Sequence, residues 1–155
     1  MKLPKSCISF FENLDHFSIY LFIAGTYTPF FLFTLSSPWD AILITSIWTI
    51  AALGIMYTWL KPRLPPFLQR RFFYTGIFVA MGWTMIFRIR EILAHLSHHQ
   101  FVLLLIGGLA YTIGAVFYTL KKPNLIKHFL GYHELWHLCV LMGACFHYWL
   151  IITFY

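Results

Sequence analysis

Charged residues are scarce in this sequence, and acidic residues are the scarcest of them. Only 10% of the 155 residues are charged, with 5 Asp and Glu against 11 Lys and Arg, while 60% are hydrophobic. Soluble domains carry about 25% charged residues, so a water-soluble surface is excluded.

Cysteine is rare as well. Cys7, Cys139 and Cys145 form no CxxC pair, which excludes a disulfide framework and a cysteine zinc motif.

The sequence is instead rich in long apolar runs. A helix needs about 20 mainly apolar residues to cross a bilayer. Five segments meet this length: Phe17–Leu35, Ala41–Leu60, Phe72 to about Leu93, Phe101–Leu120 and His133–Tyr155. Their apolar residues are continuous rather than alternating, which makes the strands of a membrane barrel a poor alternative. The sequence therefore predicts an all-α integral membrane protein in which residues 1–155 form a single transmembrane domain.

Small residues within these runs indicate where helices approach one another. Glycine permits close contact between membrane helices, so Gly25 in the first segment is predicted to lie at a helix interface. The same is predicted for Gly107, Gly108 and Gly114 in the fourth segment. Arg88, near the end of the third segment, is predicted to extend toward the lipid headgroups.

The basic residues lie in the gaps between the apolar segments, and most of them lie at one end. Nine share that end: Lys2, Lys5, Lys61, Arg63, Arg70, Arg71, Lys121, Lys122 and Lys127. Arg88 and Arg90 lie toward the other. The positive-inside rule predicts a cell-membrane protein with a cytoplasmic N-terminus and an external C-terminus. Because this rule accounts for the net charge of +6, no nucleic-acid partner is predicted; the expected partners are membrane lipids.

Two histidines at the start of the fifth segment are candidate metal ligands. His133 and His137 are four residues apart, so they share one helix face, and neutral imidazoles suit zinc, copper, iron or nickel. The string His133-Glu134-Leu135-Trp136-His137 also matches the HExxH pattern of metalloproteases. An alternative interpretation is a pair of interfacial histidines that hydrogen-bond to neighbours or headgroups.

An acidic residue is expected at the same depth in the membrane. Asp15 precedes the first segment, and the first and fifth segments begin at the same face. Asp15, His133 and His137 are therefore predicted to form one site. Asp15 has an alternative role as an N-terminal helix cap. His147 lies about 15 Å beyond His137 at ~1.5 Å per residue, and is predicted to be a buried, hydrogen-bonded packing residue.

Two long stretches resemble the hemolysin III family. Leu14–Phe30, LDHFSIYLFIAGTYTPF, resembles its third transmembrane helix, and Gly131–His147, GYHELWHLCVLMGACFH, resembles its seventh. The family is grouped with progestin and adiponectin receptors and, more distantly, with alkaline ceramidases. The resemblance implies that the five predicted helices correspond to helices three to seven of a seven-helix bundle, with the first two helices lacking. It also implies an intramembrane zinc near the cytoplasmic side.

The same resemblance assigns roles to individual residues. His133 and His137 match the zinc ligands of the last helix, Asp15 matches the acid that holds water at the zinc, and His147 matches a further family histidine. The family's third zinc-binding histidine has no match before Asp15, which implies a weak or incomplete zinc site. The implied activity is zinc-dependent hydrolysis of lipid amide or ester bonds, which loss of the third ligand would impair. The alternative is a non-enzymatic membrane protein, either cytolytic and pore-forming or a receptor-like lipid binder.

Overall fold

The protein is built from helices. The computed structural model describes residues 4–123 and 130–155, so Lys2 and Lys127, which the charge count included, lie outside the described residues. The helices are α1 (Lys5–Thr34), α2 (Trp39–Leu60), α3 (Arg71–Gly82), α4 (Ile89–His95), α5 (His98–Leu120) and α6 (Tyr132–Ile152). Short 3-10 segments occupy Lys61–Arg63 and Thr84–Arg88.

Five stretches of the described chain are long and apolar enough to cross a membrane. They are Ser9–Thr34, Trp39–Arg63, Arg71–His95, His98–Leu120 and Tyr132–Ile152, which confirms the predicted five-helix membrane architecture. The third stretch combines α3, the 3-10 segment Thr84–Arg88 and α4. Many large apolar side chains point outward, with Phe87 77% and Leu141 62% exposed, as lipid-facing surfaces require.

Helix α1 begins well before the apolar run that predicted it. Its first residue is Lys5, and Pro4 precedes it as the N-terminal cap residue. Asp15 therefore lies inside the helix, and the predicted capping role of Asp15 is wrong. The apolar run measures only the part of a helix that fits the hydrocarbon core, whereas the helix itself continues through the more polar residues between Lys5 and Asp15.

The third membrane stretch is interrupted in its middle, which the sequence did not predict. Helix α3 ends at Gly82, and the 3-10 segment Thr84–Arg88 follows. The Tyr27 hydroxyl donates to the Gly82 carbonyl, and the Thr84 hydroxyl donates to the Met81 carbonyl at 2.7 Å. Carbonyl groups released by a helix break at membrane depth need such donors, because no lipid group supplies them.

An ionic cluster closes the end of the bundle beyond this break. Arg88 forms an ion pair with Glu91 at 2.5 Å, and its guanidinium lies 4.3 Å from the ring centre of Trp39. Glu91 also accepts hydrogen bonds from the Ser36 backbone N–H at 3.1 Å and from the Ser36 hydroxyl at 2.9 Å. These contacts connect α4 to the turn between α1 and α2.

Helices α5 and α6 approach closely at glycine positions. A Cβ atom on Gly107 would lie 2.3 Å from His147 Cδ2, and one on Gly114 would lie 2.7 Å from Cys139 Cβ. The predicted interface role of these two glycines is confirmed. The same prediction is wrong for Gly25 and Gly108, where an added Cβ atom would meet nothing within 4 Å.

We expect the Gly114→Ala substitution to destabilise the bundle by about 1–3 kcal/mol, the usual cost of overpacking. The new methyl group would meet the Cβ of Cys139, which the α6 backbone holds in place, rather than the movable end of a side chain. Thermal unfolding in detergent measures the effect. Gly108→Ala on the same helix is the matched control and should leave the melting temperature nearly unchanged; equal melting temperatures for the two variants would contradict the prediction.

Candidate metal centre

Three potential metal ligands converge where α1 and α6 meet. Asp15, His133 and His137 each offer one ligand atom, and these atoms all lie within 4.8 Å of one another. The His137 Nε2 atom lies 3.2 Å from His133 Nε2 and 3.8 Å from Asp15 Oδ1. The predicted convergence of these residues is therefore confirmed, although Asp15 and His133 are 118 positions apart in the sequence.

The start of α6 explains how the two imidazoles come to face the same point. The helix begins at Tyr132, so His133 and His137 lie one turn apart on one face. Their ring centres are 4.7 Å apart, with the rings nearly perpendicular. The two Nε2 atoms are 3.2 Å apart, and Asp15 approaches that of His137 from α1.

Glu134 does not take part in this group, although the HExxH pattern would make it a general base. Its carboxylate accepts a hydrogen bond from the Gly131 backbone N–H at 2.9 Å, which caps the first turn of α6. The Glu134 side chain is exposed. The metalloprotease interpretation of this pattern is therefore not supported by the geometry.

The geometry of the two imidazoles fits a zinc ion. Ligands at about 2.0–2.1 Å in a tetrahedral arrangement are about 3.3 Å from one another, and the Nε2 atoms of His133 and His137 are 3.2 Å apart. Asp15 Oδ1 lies slightly farther out, 3.8 Å from His137 Nε2, where its carboxylate can accept a hydrogen bond from a water in the coordination shell. The group is only partly buried, because the side chains of His137 and Asp15 are 43% and 27% exposed.

Aromatic side chains form one wall of the centre. The Tyr118 ring lies 5.7 Å from the His133 ring and 5.0 Å from the Trp136 ring. Trp136 in turn lies 6.3 Å from Phe78. Sequence reasoning did not identify Tyr118 or Trp136 as neighbours of the centre, since each looks like an ordinary apolar residue within its own helix.

Two other histidines of the membrane helices, His16 and His147, lie outside the group. His16 is buried, its Nδ1 is hydrogen-bonded to the Glu12 carbonyl, and its ring packs edge-on against Tyr74 at 4.6 Å. His147 is buried as well, with its Nε2 at 3.4 Å from the Leu104 carbonyl. The predicted packing role of His147 is confirmed.

A cavity of about 170 Å³ lies between α1, α3, α5 and α6. Its lining is almost entirely apolar and includes Trp136, so the same side chain borders the cavity and the aromatic wall of the centre. Further lining residues are Ile19, Phe22, Val79, Leu104 and Val140. Gly108 also lines the cavity, which explains why it makes no close helix contact. No single segment of the sequence indicates this space, because four helices contribute to it.

These features define a multi-pass membrane protein with a candidate metal centre set beside an apolar cavity. The chain belongs to the family described as Haemolysin-III related, whose family model matches residues 2–148. The resemblance noted from its first and last helices is thereby confirmed.

Individual relatives support this membership. The chain is 40% identical over 146 residues to "Hemolysin-3" of Bacillus cereus, covering 93% of this chain and 61% of that protein. It is 36% identical to the "Hemolysin-3 homolog" of Bacillus subtilis (strain 168), covering 86% and 57%. It is 30% identical to the human "Monocyte to macrophage differentiation factor", covering 91% and 54%. The chain thus spans little more than half the length of these relatives. No solved structure matches it significantly.

Proposed function

We propose that this chain carries the centre of a zinc-dependent membrane hydrolase that cleaves an amide or ester bond of a lipid. The observation that carries the proposal is the convergence of Asp15, His133 and His137 within 4.8 Å. Two imidazoles and a carboxylate that come together at membrane depth are costly to place there unless they serve a function.

Each residue has a defined task in this proposal. His133 and His137 would hold zinc, which when bound supplies Lewis-acid activation of water and of a carbonyl group. The Asp15 carboxylate would orient the attacking water and accept its proton, because it reaches the same point from the opposite helix and remains open to solvent. Asp15 would then return the proton to the leaving nitrogen or oxygen, as a general acid does.

The apolar cavity supports a lipid rather than a polar substrate. Its lining by Ile19, Phe22, Leu104 and Val140 suits a hydrocarbon chain, whose burial against such side chains is favourable. Because Trp136 borders both the cavity and the aromatic wall beside His133, a chain in the cavity would lie close to the centre. A carbonyl at the end of that chain is therefore the expected site of hydrolysis.

The orientation proposed from the Lys and Arg distribution puts this centre at the cytoplasmic side of the cell membrane. A phosphatase reporter that is active only outside the cytoplasm tests it. A fusion after Tyr155 should be active and a fusion after Lys122 inactive.

Hydrolysis by the purified chain is the direct test. The chain is reconstituted with zinc in phosphatidylcholine nanodiscs that contain a ceramide-type lipid amide or a matched lipid ester, and free fatty acid is measured by mass spectrometry. We expect time-dependent release that stops when a chelator is added and resumes with zinc. Release no faster than in empty nanodiscs, with zinc shown to be bound, would exclude the hydrolase proposal for this chain.

A second candidate function is non-enzymatic membrane permeabilisation, favoured by the name of the Bacillus cereus relative, "Hemolysin-3". The apolar lining of the cavity speaks against a water-filled pore, and suits a lipid-binding protein instead. Dye leakage from liposomes distinguishes permeabilisation from hydrolysis. Leakage that persists after chelation, without fatty acid release, would favour permeabilisation over hydrolysis.

A further inference from the structure

Beside the candidate centre, an arginine is held by tyrosine side chains. Arg71 is the first residue of α3, and its guanidinium carbon lies 5.0 Å from the Tyr118 ring centre and 5.3 Å from the Tyr132 ring centre. Arg71 Nη1 donates to the Tyr132 hydroxyl at 3.1 Å. The Tyr118 hydroxyl is hydrogen-bonded to that of Tyr74 at 3.2 Å. The position of the guanidinium is thus fixed by contacts with α5 and α6.

A second cation adjoins the same cluster. The Lys61 amino group lies 4.1 Å from the ring centre of Tyr74, and neither Lys61 nor Arg71 is fully exposed. Within residues 4–123 and 130–155, neither forms an ion pair within 4.0 Å. The Glu12 carboxylate attracts Lys61 electrostatically, but the two groups are more than 4.0 Å apart. Two partly buried cations that repel each other without a close counterion are unfavourable, so the cluster is suited to an anion.

We propose that Arg71, with Lys61 beside it, binds the phosphate of an anionic phospholipid headgroup. A guanidinium presents five N–H donors in a planar fork, and this fork matches the oxygens of a phosphate. The hydrogen bond from Nη1 to Tyr132 leaves further donors available to a phosphate. Arg71 is the first residue of the membrane stretch Arg71–His95, and a residue at the end of a membrane span is expected at the level of the lipid headgroups.

The bound headgroup would lie next to the candidate centre. The Tyr118 ring that contacts Arg71 also lies 5.7 Å from the His133 ring, so one tyrosine separates the phosphate site from the metal ligands. This lipid site does not depend on hydrolysis or on zinc. It predicts that lipids with an anionic phosphate headgroup bind in preference to zwitterionic ones.

Lipid binding to the metal-free protein tests the proposal. The full chain is purified in a neutral detergent with chelator, and its affinity for phosphatidylglycerol and for phosphatidylcholine is measured by native mass spectrometry. We expect Arg71→Gln to weaken phosphatidylglycerol binding by at least about tenfold, because the charge-assisted hydrogen bonds are lost. The neighbouring exposed Arg70 provides the matched control, and Arg70→Gln should change the affinity by no more than about twofold, as expected for a screened surface charge.

A conservative variant, Arg71→Lys, tests the proposal even if Arg71→Gln fails to fold. Arg71→Lys retains the charge but removes the planar fork, so we expect it to fold and to bind phosphatidylglycerol less tightly than the wild type. If Arg71→Gln does not fold, this variant decides, and an unchanged affinity would overturn the proposal. Equal losses in Arg71→Gln and Arg70→Gln would reduce the effect to diffuse surface charge and would also overturn it.

Inorganic phosphate separates the two sources of the anion. We expect it to compete with phosphatidylglycerol only weakly, since it lacks the acyl chains that hold a lipid at this depth. If inorganic phosphate binds as tightly as the lipid does, the site serves free phosphate, and the assignment to a lipid headgroup is wrong.

Discussion

The His137→Ala variant is expected to lose both zinc and lipid hydrolysis. His137 Nε2 is the atom that joins the group together, since it lies 3.2 Å from His133 Nε2 and 3.8 Å from Asp15 Oδ1. Loss of outer-shell support alone weakens a metal site by about 10–100-fold. Removal of a direct ligand should therefore raise the zinc dissociation constant by more than about 100-fold, and fatty acid release should fall to the level of empty nanodiscs.

Zinc titration by equilibrium dialysis and the nanodisc assay measure the two effects on the same preparation. His99→Ala is the matched control, because His99 is an exposed histidine at the other end of the bundle. Its zinc affinity and hydrolysis rate should equal those of the wild type. Hydrolysis at the wild-type rate in His137→Ala would show that the reaction does not use this centre, whatever metal the protein binds.

The helices and the convergence of the site were predictable because both follow from one-dimensional patterns. Continuous apolar runs identified the five membrane stretches, and the four-residue spacing of His133 and His137 gave their common face. The direction in which the chain crosses the membrane then required Asp15 to lie at the same end as these histidines. Each step uses only local periodicity and an alternation of direction, so no knowledge of packing is needed.

The features that the sequence did not indicate depend on contacts between helices. Gly25 and Gly54 look alike in an apolar run, yet a Cβ on Gly54 would lie 2.2 Å from Tyr20 while one on Gly25 meets nothing. The break after Gly82 is likewise tolerated because Tyr27, on another helix, donates to the freed carbonyl. Such pairings are set by the rotation of each helix about its axis, which hydrophobicity alone leaves undetermined in a segment that is apolar all round.

The phosphate site illustrates the same limit. Arg71 appears in the sequence as one of several basic residues in a connection, and the positive-inside rule accounts for all of them equally. Only the contacts with Tyr118 and Tyr132 distinguish it from the exposed Arg70. A basic residue at the end of a membrane helix thus gains specificity from the aromatic residues that neighbouring helices bring to it.

The wild-type chain is expected to hold zinc weakly enough for a mild chelator to remove it. The described residues offer two imidazoles and one carboxylate, and the side chains of His137 and Asp15 are 43% and 27% exposed, so water can compete for the ion. Asp15 Oδ1 lies 3.8 Å from His137 Nε2. Two ligand atoms of a tetrahedral zinc site are about 3.3 Å apart, so this separation is longer. A carboxylate at this distance supports the ion through a bound water rather than as a direct ligand, so Asp15→Asn should weaken zinc binding by only about tenfold.

Each protein is dialysed against a zinc buffer, and its zinc content is measured before and during titration with the chelator. The proteins compared are the wild type, Asp15→Asn and a double variant with His133→Ala and His137→Ala. The double variant should contain only background zinc, and the thermal stabilisation that zinc gives the wild type by mass action should be absent from it. Stoichiometric zinc that survives the chelator in the wild type and disappears in the double variant would contradict the prediction of a weak site. That result would indicate a complete coordination shell and would strengthen the hydrolase proposal over the non-enzymatic one.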